Sequence, residues 1–218
     1  MSNTHRLIRN WRNCSFDSKP YLLPGDQSLL QHKESICVSS SFDEFIDSNF
    51  GSYSNTSLHI GLMPIPYVGN LEKANIYVLM SNPGLSYGDY YAEDTSQIYK
   101  NALIRNIRQE FEDTDFPFLF LNPRFAWHPG FGYWHSKFKS FLKVIRSEFE
   151  ITYQEALRYL AERIACLEFT PYHSEKFSAK SIEGLLSVEC VTDFVHSVLV
   201  PKAERGEATI IVARGGKY

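Results

Sequence analysis

The chain has 218 residues, of which 44% are hydrophobic, and its formal net charge at pH 7 is −3. This length and apolar content suit one large domain with a real core, and two small domains are the less favoured alternative. The slightly acidic balance argues against a broad basic surface that grips duplex nucleic acid non-specifically, but it leaves room for a local basic groove. Aromatic residues make up 15% of the chain, a surplus that suits a core or a site that stacks flat ligands.

The cysteines are spread along the chain, and no Cys-x-x-Cys pair occurs. A zinc or iron–sulfur site is therefore weakly supported, and we expect neither a metal nor another cofactor. There is no signal peptide, and no apolar run approaches the roughly 18 residues of a membrane span. We expect a soluble, cytoplasmic monomer with reduced thiols and no membrane partner.

The first strongly predicted strand is Ile76–Met80, an apolar run without alternation that is typical of a strand buried on both faces. The turn Asn82-Pro83-Gly84 follows it, because proline has no N–H for a sheet ladder and glycine accepts a positive φ. Proteins of the α/β class place their chemistry outside the carboxyl ends of such strands. This turn is therefore a candidate functional site, and an ordinary strand-to-loop turn is the alternative.

The rest of the chain alternates helical and strand-like patterns. Apolar spacing predicts helices over 96–112, 138–149, 152–164 and 181–200, the last broken near Cys190. Apolar runs predict two more buried strands, at 165–169 and 208–213. Prolines bound the apolar run 116–122, which predicts an edge strand or an ordered loop. The segment 124–134 is rich in glycine and aromatic residues and reads as a long functional loop.

Strands separated by long helical stretches predict right-handed crossovers. The expected fold is α/β, a three-layer α/β/α sandwich around a central, mostly parallel sheet of about four strands. We expect one domain over residues 1–218, with residues 1–60 as an N-terminal extension that packs on it. A glycine-rich turn follows the last predicted strand directly, so we expect the natural protein to continue past Tyr218.

The run Ser81-Asn82-Pro83-Gly84-Leu85 resembles the first motif of the uracil-DNA glycosylase superfamily. Within it, the similarity is greatest to the mismatch-specific uracil/thymine glycosylases, whose signature contains Asn-Pro-Gly-Leu. The order of elements is also similar, with a leading loop, the strand and motif, an aromatic segment, a helix, a second strand ending in base-reading residues and a third strand. In this chain these elements are 64–70, 76–84, 116–122, 133–145, 165–173 and 208–214.

The resemblance implies a DNA glycosylase that flips a base out of DNA and hydrolyses its N-glycosidic bond, leaving an abasic site. It implies that Asn82 positions the hydrolytic water and that Pro83 and Gly84 bind the substrate beside it. A carboxamide orients water but is a poor general base, so the leaving base and the oxocarbenium-like sugar carry much of the reaction. The motif holds no lysine for a Schiff base, which indicates a monofunctional enzyme.

The resemblance also bears on which base is bound. Gly84 stands where uracil-specific members carry a tyrosine that blocks C5 of the pyrimidine, so it leaves space for a C5 substituent. Phe120, or a neighbour within 116–120, corresponds to the aromatic residue that stacks on the flipped base. Glu168 lies where those members use an asparagine, and a carboxylate suits an exocyclic amino group such as cytosine N4. These features imply a C5-modified cytosine, such as glucosylated hydroxymethylcytosine of phage DNA, and a role in antiphage defence or DNA repair.

Further candidates come from position alone. Substrate-binding candidates are Tyr90, Tyr91, Tyr172 and His173, and DNA-binding candidates are Arg124, His128, Arg214 and Lys217. Each has a structural alternative, as helix cover, surface turn or solvated charge, and for Glu168 the alternative is an ion pair with Lys176 or Arg163. The superfamily's second motif, which stabilises the leaving base, follows a fourth strand that this chain lacks, so we expect it beyond Tyr218 or expect incomplete activity.

Two other functions fit the same sequence. A nucleosidase acting on free nucleosides agrees with the acidic net charge. A non-catalytic module of the same fold that binds DNA or protein would need none of the hydrolytic residues. A DNA glycosylase must lose affinity for DNA steeply as salt rises, which distinguishes it from the nucleosidase.

Overall fold

The computed structural model describes residues 5–30, 36–49, 53–112 and 114–213. The predicted DNA contacts Arg214 and Lys217 lie outside these residues. The strands of the described part are β1 (Ile36–Cys37), β2 (Leu58–His59), β3 (Tyr67–Val68), β4 (Ile76–Met80), β5 (Ile164–Glu168) and β6 (Thr209–Val212). Its α-helices are α1 (Arg6–Arg12), α2 (Gln27–Leu30), α3 (Phe42–Glu44), α4 (Tyr87–Thr95), α5 (Gln97–Arg108), α6 (Pro129–Glu148), α7 (Tyr153–Ala161), α8 (Leu186–Phe194) and α9 (Val200–Glu204). Short 3-10 turns are Leu119–Leu121, Pro123–Phe125 and Lys180–Ile182, and π turns are Phe45–Asn49 and Val195–Leu199.

The main sheet has four described strands in the order β3-β5-β4-β6. β4 pairs in parallel with β5 on one side and with β6 on the other, and β3 pairs antiparallel with β5. All but the first residue of β4 are buried. These findings confirm an α/β fold with a mostly parallel sheet and a buried first major strand. The three-layer arrangement of helices stays a prediction.

The chain moves from β4 to β5 on one side and then crosses to β6 on the other side of β4. Such a reversal of direction opens a crevice at the carboxyl ends of the strands. Main-chain hydrogen bonds continue past those ends, from the Phe169 N–H to the Met80 carbonyl at 2.9 Å and from the Thr170 N–H to the Ser81 carbonyl at 3.0 Å. The segments that follow β4 and β5 are therefore held side by side.

The predicted burial of the last strand was wrong. Ile211 and Val212 are 41% and 54% exposed. Within the described residues, β6 is an edge strand that pairs with β4 alone. An apolar run by itself does not reveal whether a strand lies at the edge or in the centre of a sheet, because that depends on which segments pair with it.

The segment predicted as a long aromatic loop is largely helical. α6 begins at Pro129, well before residue 138, and the His128 ring caps it by accepting a hydrogen bond from the Gly130 N–H. Proline is favoured at the first position of a helix because its fixed φ suits the helix and its missing N–H has no partner there anyway. The helix predicted to break near Cys190 also runs through that residue, and its hydrogen bonding changes only at Val195.

The predicted starts of two other helices, at residues 96 and 152, are confirmed. Ser96 caps α5, and Thr152 and Glu155 form a capping box at the start of α7. The apolar segment before α6 is an ordered, buried loop with a 3-10 turn at Leu119–Leu121, the second of the two alternatives that the prolines allowed. Among the described residues, none of the helices has the length and apolar character needed to cross a bilayer.

The N-terminal residues join the main body through a buried polar contact. Asp26, which is fully buried, accepts hydrogen bonds from the Tyr172 hydroxyl at 2.7 Å and from the Ser187 N–H at 3.1 Å. The same hydroxyl accepts the Leu23 N–H at 3.2 Å. Tyr172 therefore fastens residues before β1 to the segment after β5, which is a structural role.

We expect Tyr172→Phe to lower the free energy of unfolding by about 2 kcal/mol, because it leaves the buried carboxylate of Asp26 without one of its donors. Chemical denaturation followed by circular dichroism measures the change. Tyr91→Phe is the matched control, since it removes the same hydroxyl from a ring that is 50% exposed. Equal stability of the two variants would contradict the anchoring role of Tyr172.

Candidate functional site

A cavity of about 210 Å³ is lined by residues from the ends of β4 and β5, from the start of α4 and from the start of α6. It contains several of the residues that the sequence singled out: Asn82, Pro83, Gly84, Phe120, Glu168 and His173. His128 also lines it, together with Asp89. Among the described residues lining it, none is a lysine or an arginine.

Asn82 follows β4 and is 7% exposed. Its Nδ2 donates to the Ser174 carbonyl oxygen at 2.7 Å and to Ser174 Oγ at 3.1 Å. A carbonyl oxygen only accepts, so these bonds fix the orientation of the carboxamide and direct Oδ1 away from Ser174. Because Asn82 lines the cavity, its anchored carboxamide is suited to hold a water molecule or a substrate group.

Gly84 has a φ of 72°, a left-handed conformation that a glycine adopts without strain. A Cβ built on it would meet no atom within 4 Å. The space beside this residue, where the resemblance implies room for a C5 substituent, is therefore open. Pro83 lines the cavity next to it.

Stacked rings form another part of the cavity wall. The ring of His128 lies between Tyr99, at 4.4 Å and 24°, and Phe120, at 5.6 Å and 19°. Gly130 allows this arrangement, since a Cβ there would lie 2.6 Å from the Phe120 ring. His128 is thus a buried residue that lines the cavity and caps α6. Its predicted role as a surface contact for DNA was wrong, because its side chain is buried.

His128 also holds Asp89. Its Nδ1 accepts the Gly130 N–H at 3.0 Å, so the proton of the neutral ring is on Nε2, which lies 3.2 Å from Asp89 Oδ1. This contact has the distance of an ion pair but lacks the alignment of a good hydrogen bond. Asp89 Oδ2 accepts the Ser86 N–H at 2.7 Å in the capping box of α4.

His173 braces the turn after β4. Its Nδ1 lies 2.9 Å from the Gly84 carbonyl oxygen and its Nε2 lies 3.2 Å from that of Met63. Burial lowers the pKa of His173, although Asp89, 3.9 Å away, and these carbonyls oppose the shift. A neutral ring has one N–H and donates to only one of the two carbonyls. The side chain therefore supports Gly84 from behind while it lines the cavity.

Glu168, the last residue of β5, is buried and lines the cavity. Cys166 Sγ donates to its Oε1 at 3.6 Å, and burial raises the pKa of this cysteine, with Glu168 adding to the effect. Arg163, one of the two structural partners considered for Glu168, instead lies 3.1 Å from Glu162. The carboxylate thus lies in the cavity wall, where the resemblance implies a base-reading group.

Other predicted substrate contacts lie elsewhere. Tyr90 stacks on Phe45 at 4.0 Å in a separate core cluster, and Tyr91 is half exposed against Phe42. Tyr172 is in the core with Asp26, as described above. These three tyrosines were predicted to bind substrate because they lie near a strand end in sequence. Helix and turn geometry points their side chains away from the cavity.

Arg124 lies on the surface and lines another groove, which also includes Arg158. It does not line the cavity, so its predicted contact with DNA stays a prediction. The described cysteines are free and buried, and no group of three His, Cys, Asp or Glu side chains in the described part of the chain is arranged to hold a metal ion.

Asp89 is the cavity residue that sequence reasoning missed. The signal was present as Ser86-x-x-Asp89, the pattern of a capping box, which predicts a helix start there and a carboxylate in its first turn. That turn follows the Asn82 motif directly, but only the tertiary structure shows that the carboxylate lines the cavity.

Comparison of this chain with protein-family models, with curated proteins and with solved structures gives no match. Functional inference therefore rests on the geometry of the cavity and on the likeness of the motif around Asn82.

Beside the cavity, His59 is a fully buried histidine whose main chain bonds to that of His173. Its Nδ1 lies 2.9 Å from the Tyr90 hydroxyl, and Tyr53 packs against the ring edge-to-face at 4.4 Å. Burial lowers the pKa of His59 to about 4, with the nearby His173 adding to the effect. The folded protein thus holds this ring neutral, whereas the unfolded chain protonates it below its ordinary pKa of about 6.5.

We expect the free energy of unfolding to fall as pH drops from about 6.5 to about 4, because the unfolded state then binds the extra proton. His59 accounts for at most about 3 kcal/mol of this loss. Denaturant unfolding across this range measures it, and His59→Gln should flatten the slope. His196→Gln, at an exposed histidine, is the control. A slope unchanged by His59→Gln would contradict the prediction.

Proposed function

We propose that this chain is a monofunctional DNA glycosylase that hydrolyses the N-glycosidic bond of a flipped, C5-modified cytosine. The observation that carries the proposal is the meeting of Asn82, Gly84, Phe120 and Glu168 around one cavity. They come from three segments that are far apart in sequence, and the motif likeness assigns each of them a part in binding or hydrolysis. Their convergence is what a base-binding pocket requires.

The buried groups suit a pyrimidine with an exocyclic amino group. Phe120 offers an aromatic surface for stacking, and Glu168 offers acceptor oxygens for an amino group such as cytosine N4. Asn82, anchored through Nδ2, keeps Oδ1 for the attacking water. The open space beside Gly84 accommodates a substituent at C5, such as a hydroxymethyl group with or without a sugar.

The charge of the cavity bears on which part of a nucleotide it can hold. Its described lining contains carboxylates and no lysine or arginine. A nucleotide phosphate is therefore disfavoured within the cavity, which agrees with a base that enters alone while its backbone phosphates stay outside. Steep loss of DNA affinity with salt would favour the glycosylase over an enzyme of free nucleosides.

The proposal includes the arrangement of the fold, the oligomeric state, the location and the biological role of the protein. A three-layer α/β/α arrangement and a monomeric, cytoplasmic protein suit an enzyme that acts on DNA entering the cell. Antiphage defence is the role that a modified phage cytosine would give it, and DNA repair is the role if the base arises by damage.

We expect Asn82→Ala to lower the rate of base release at least 100-fold, because the variant can no longer orient the attacking water. Mass spectrometry of released bases measures this, with DNA containing glucosylated hydroxymethylcytosine, DNA containing uracil and unmodified DNA as substrates. Asn101→Ala, at an exposed asparagine of α5, is the matched control and should leave the rate unchanged.

The outcomes separate the candidate functions. An undiminished rate of base release by the Asn82→Ala variant would contradict the hydrolytic role of Asn82. Efficient release of uracil with no action on modified cytosine would contradict the substrate. Binding of DNA by the wild-type protein without release of any base would favour the non-catalytic module.

We expect Gly84→Tyr to lose activity on the C5-substituted base while retaining binding of DNA, because the ring fills the space beside Gly84. The strain of a positive φ costs about 1–2 kcal/mol. Gly206→Tyr controls for that strain, since Gly206 has a φ of 73° and equally open surroundings but lies before β6. Competition between modified and unmodified DNA in one reaction measures the change. Equal losses in the two variants would contradict a steric role for Gly84.

A further inference from the structure

Asp89 is a carboxylate of the cavity to which the motif likeness assigns no role. Its side chain is 13% exposed, and it lines the cavity together with Asn82. It is the third residue of α4 and completes the capping box with Ser86 through Oδ2. Its other oxygen, Oδ1, faces the ring of His128.

A second capping box in the same chain shows that capping alone does not explain this burial. Glu155 holds the equivalent position in α7, where it accepts the Thr152 N–H at 2.8 Å. Glu155 is exposed to solvent, as a helix-capping carboxylate at the surface normally is. Burying Asp89 instead costs free energy unless the surroundings compensate its charge.

The surroundings of Asp89 provide that compensation with groups that cannot easily move. His128 stacks with two aromatic rings, and the Gly130 N–H fixes the tautomer of the neutral ring, so that the proton is on Nε2, 3.2 Å from Asp89 Oδ1. The Ser86 N–H and the first turn of α4 hold the other oxygen, where the helix dipole favours negative charge. A carboxylate held in this way is preorganised inside a cavity, which is typical of a reacting group.

We propose that Asp89 is the anionic catalytic residue of this site, supplying the basicity that the carboxamide of Asn82 lacks. The inference rests on the proposed function. As the N-glycosidic bond breaks, its electron pair leaves with the base, which takes up a proton from solvent. The negative charge of Asp89 stabilises the developing oxocarbenium ion. The water held by Asn82 then forms the bond to C1′ and transfers a proton to the Asp89 carboxylate, which returns it to solvent.

Several other titratable groups act on Asp89. His128 and His173 lie at the distances given above, and Glu93, Tyr99 and His59 interact with it over longer range. Protonation of the Asp89 carboxylate removes both its charge and its basicity. The rate of the wild-type protein should therefore fall on the acid side of its pH profile.

The test is Asp89→Asn, because asparagine keeps the size of the side chain and an oxygen that accepts the Ser86 N–H. We expect the single-turnover rate of base release to fall about 100-fold or more, with DNA affinity within threefold of wild type. The acid limb of the pH profile should also disappear, which a purely structural role would not cause. Glu155→Gln, which removes the same charge from the exposed capping box, is the matched control and should leave rate and profile unchanged.

The possible results are distinct. If the wild-type protein releases a base and Asp89→Asn retains more than a third of its rate, the role of Asp89 is overturned and the glycosylase function stands. A fall in rate that leaves the acid limb of the pH profile as it is in the wild-type protein also overturns it, since Asp89 would then be structural. A fall in rate that is fully accounted for by a loss of thermal stability overturns it for the same reason. If the wild-type protein releases no base from any of the three DNAs, the proposed function fails and the role of Asp89 falls with it.

Discussion

The hydrogen bonds that continue past the ends of β4 and β5 are the constraint on which the site depends. They join Met80 to Phe169 and Ser81 to Thr170 through the main chain, and the Asn82 amide then bonds to Ser174. Two loops that are far apart in sequence thereby become one rigid edge. Because this edge belongs to the sheet, its geometry is supported by the core and not by the loops themselves.

On this edge the protein buries polar and ionisable side chains. The carboxylates of Asp89 and Glu168 line the cavity, and His128 and His173 stand beside them. Burial favours the neutral form of His173, and the one N–H of a neutral ring donates to a backbone carbonyl. The cavity therefore combines two carboxylates with a histidine that carries no full positive charge.

Individual residues show where sequence reasoning succeeds and where it stops. The end of a buried parallel strand predicted a candidate site at Asn82 and Gly84, and the motif likeness added Glu168. The structure places all three residues along one cavity. Tyr90 and Tyr91 are adjacent in sequence, yet one is stacked in a core cluster and the other is half exposed. Neighbours on a helix point about 100° apart, so nearness to the motif does not place a side chain in the cavity.

The sequence by itself determined the strand β4, the turn after it and the α/β class, since these depend on local periodicity and on the chemistry of proline and glycine. Only the tertiary structure decided that β6 is an edge strand, that Tyr172 anchors Asp26, and that His128 stands inside the cavity and holds Asp89. Each of these depends on which distant segment packs against the residue. That choice is made by the whole core, and no local pattern records it.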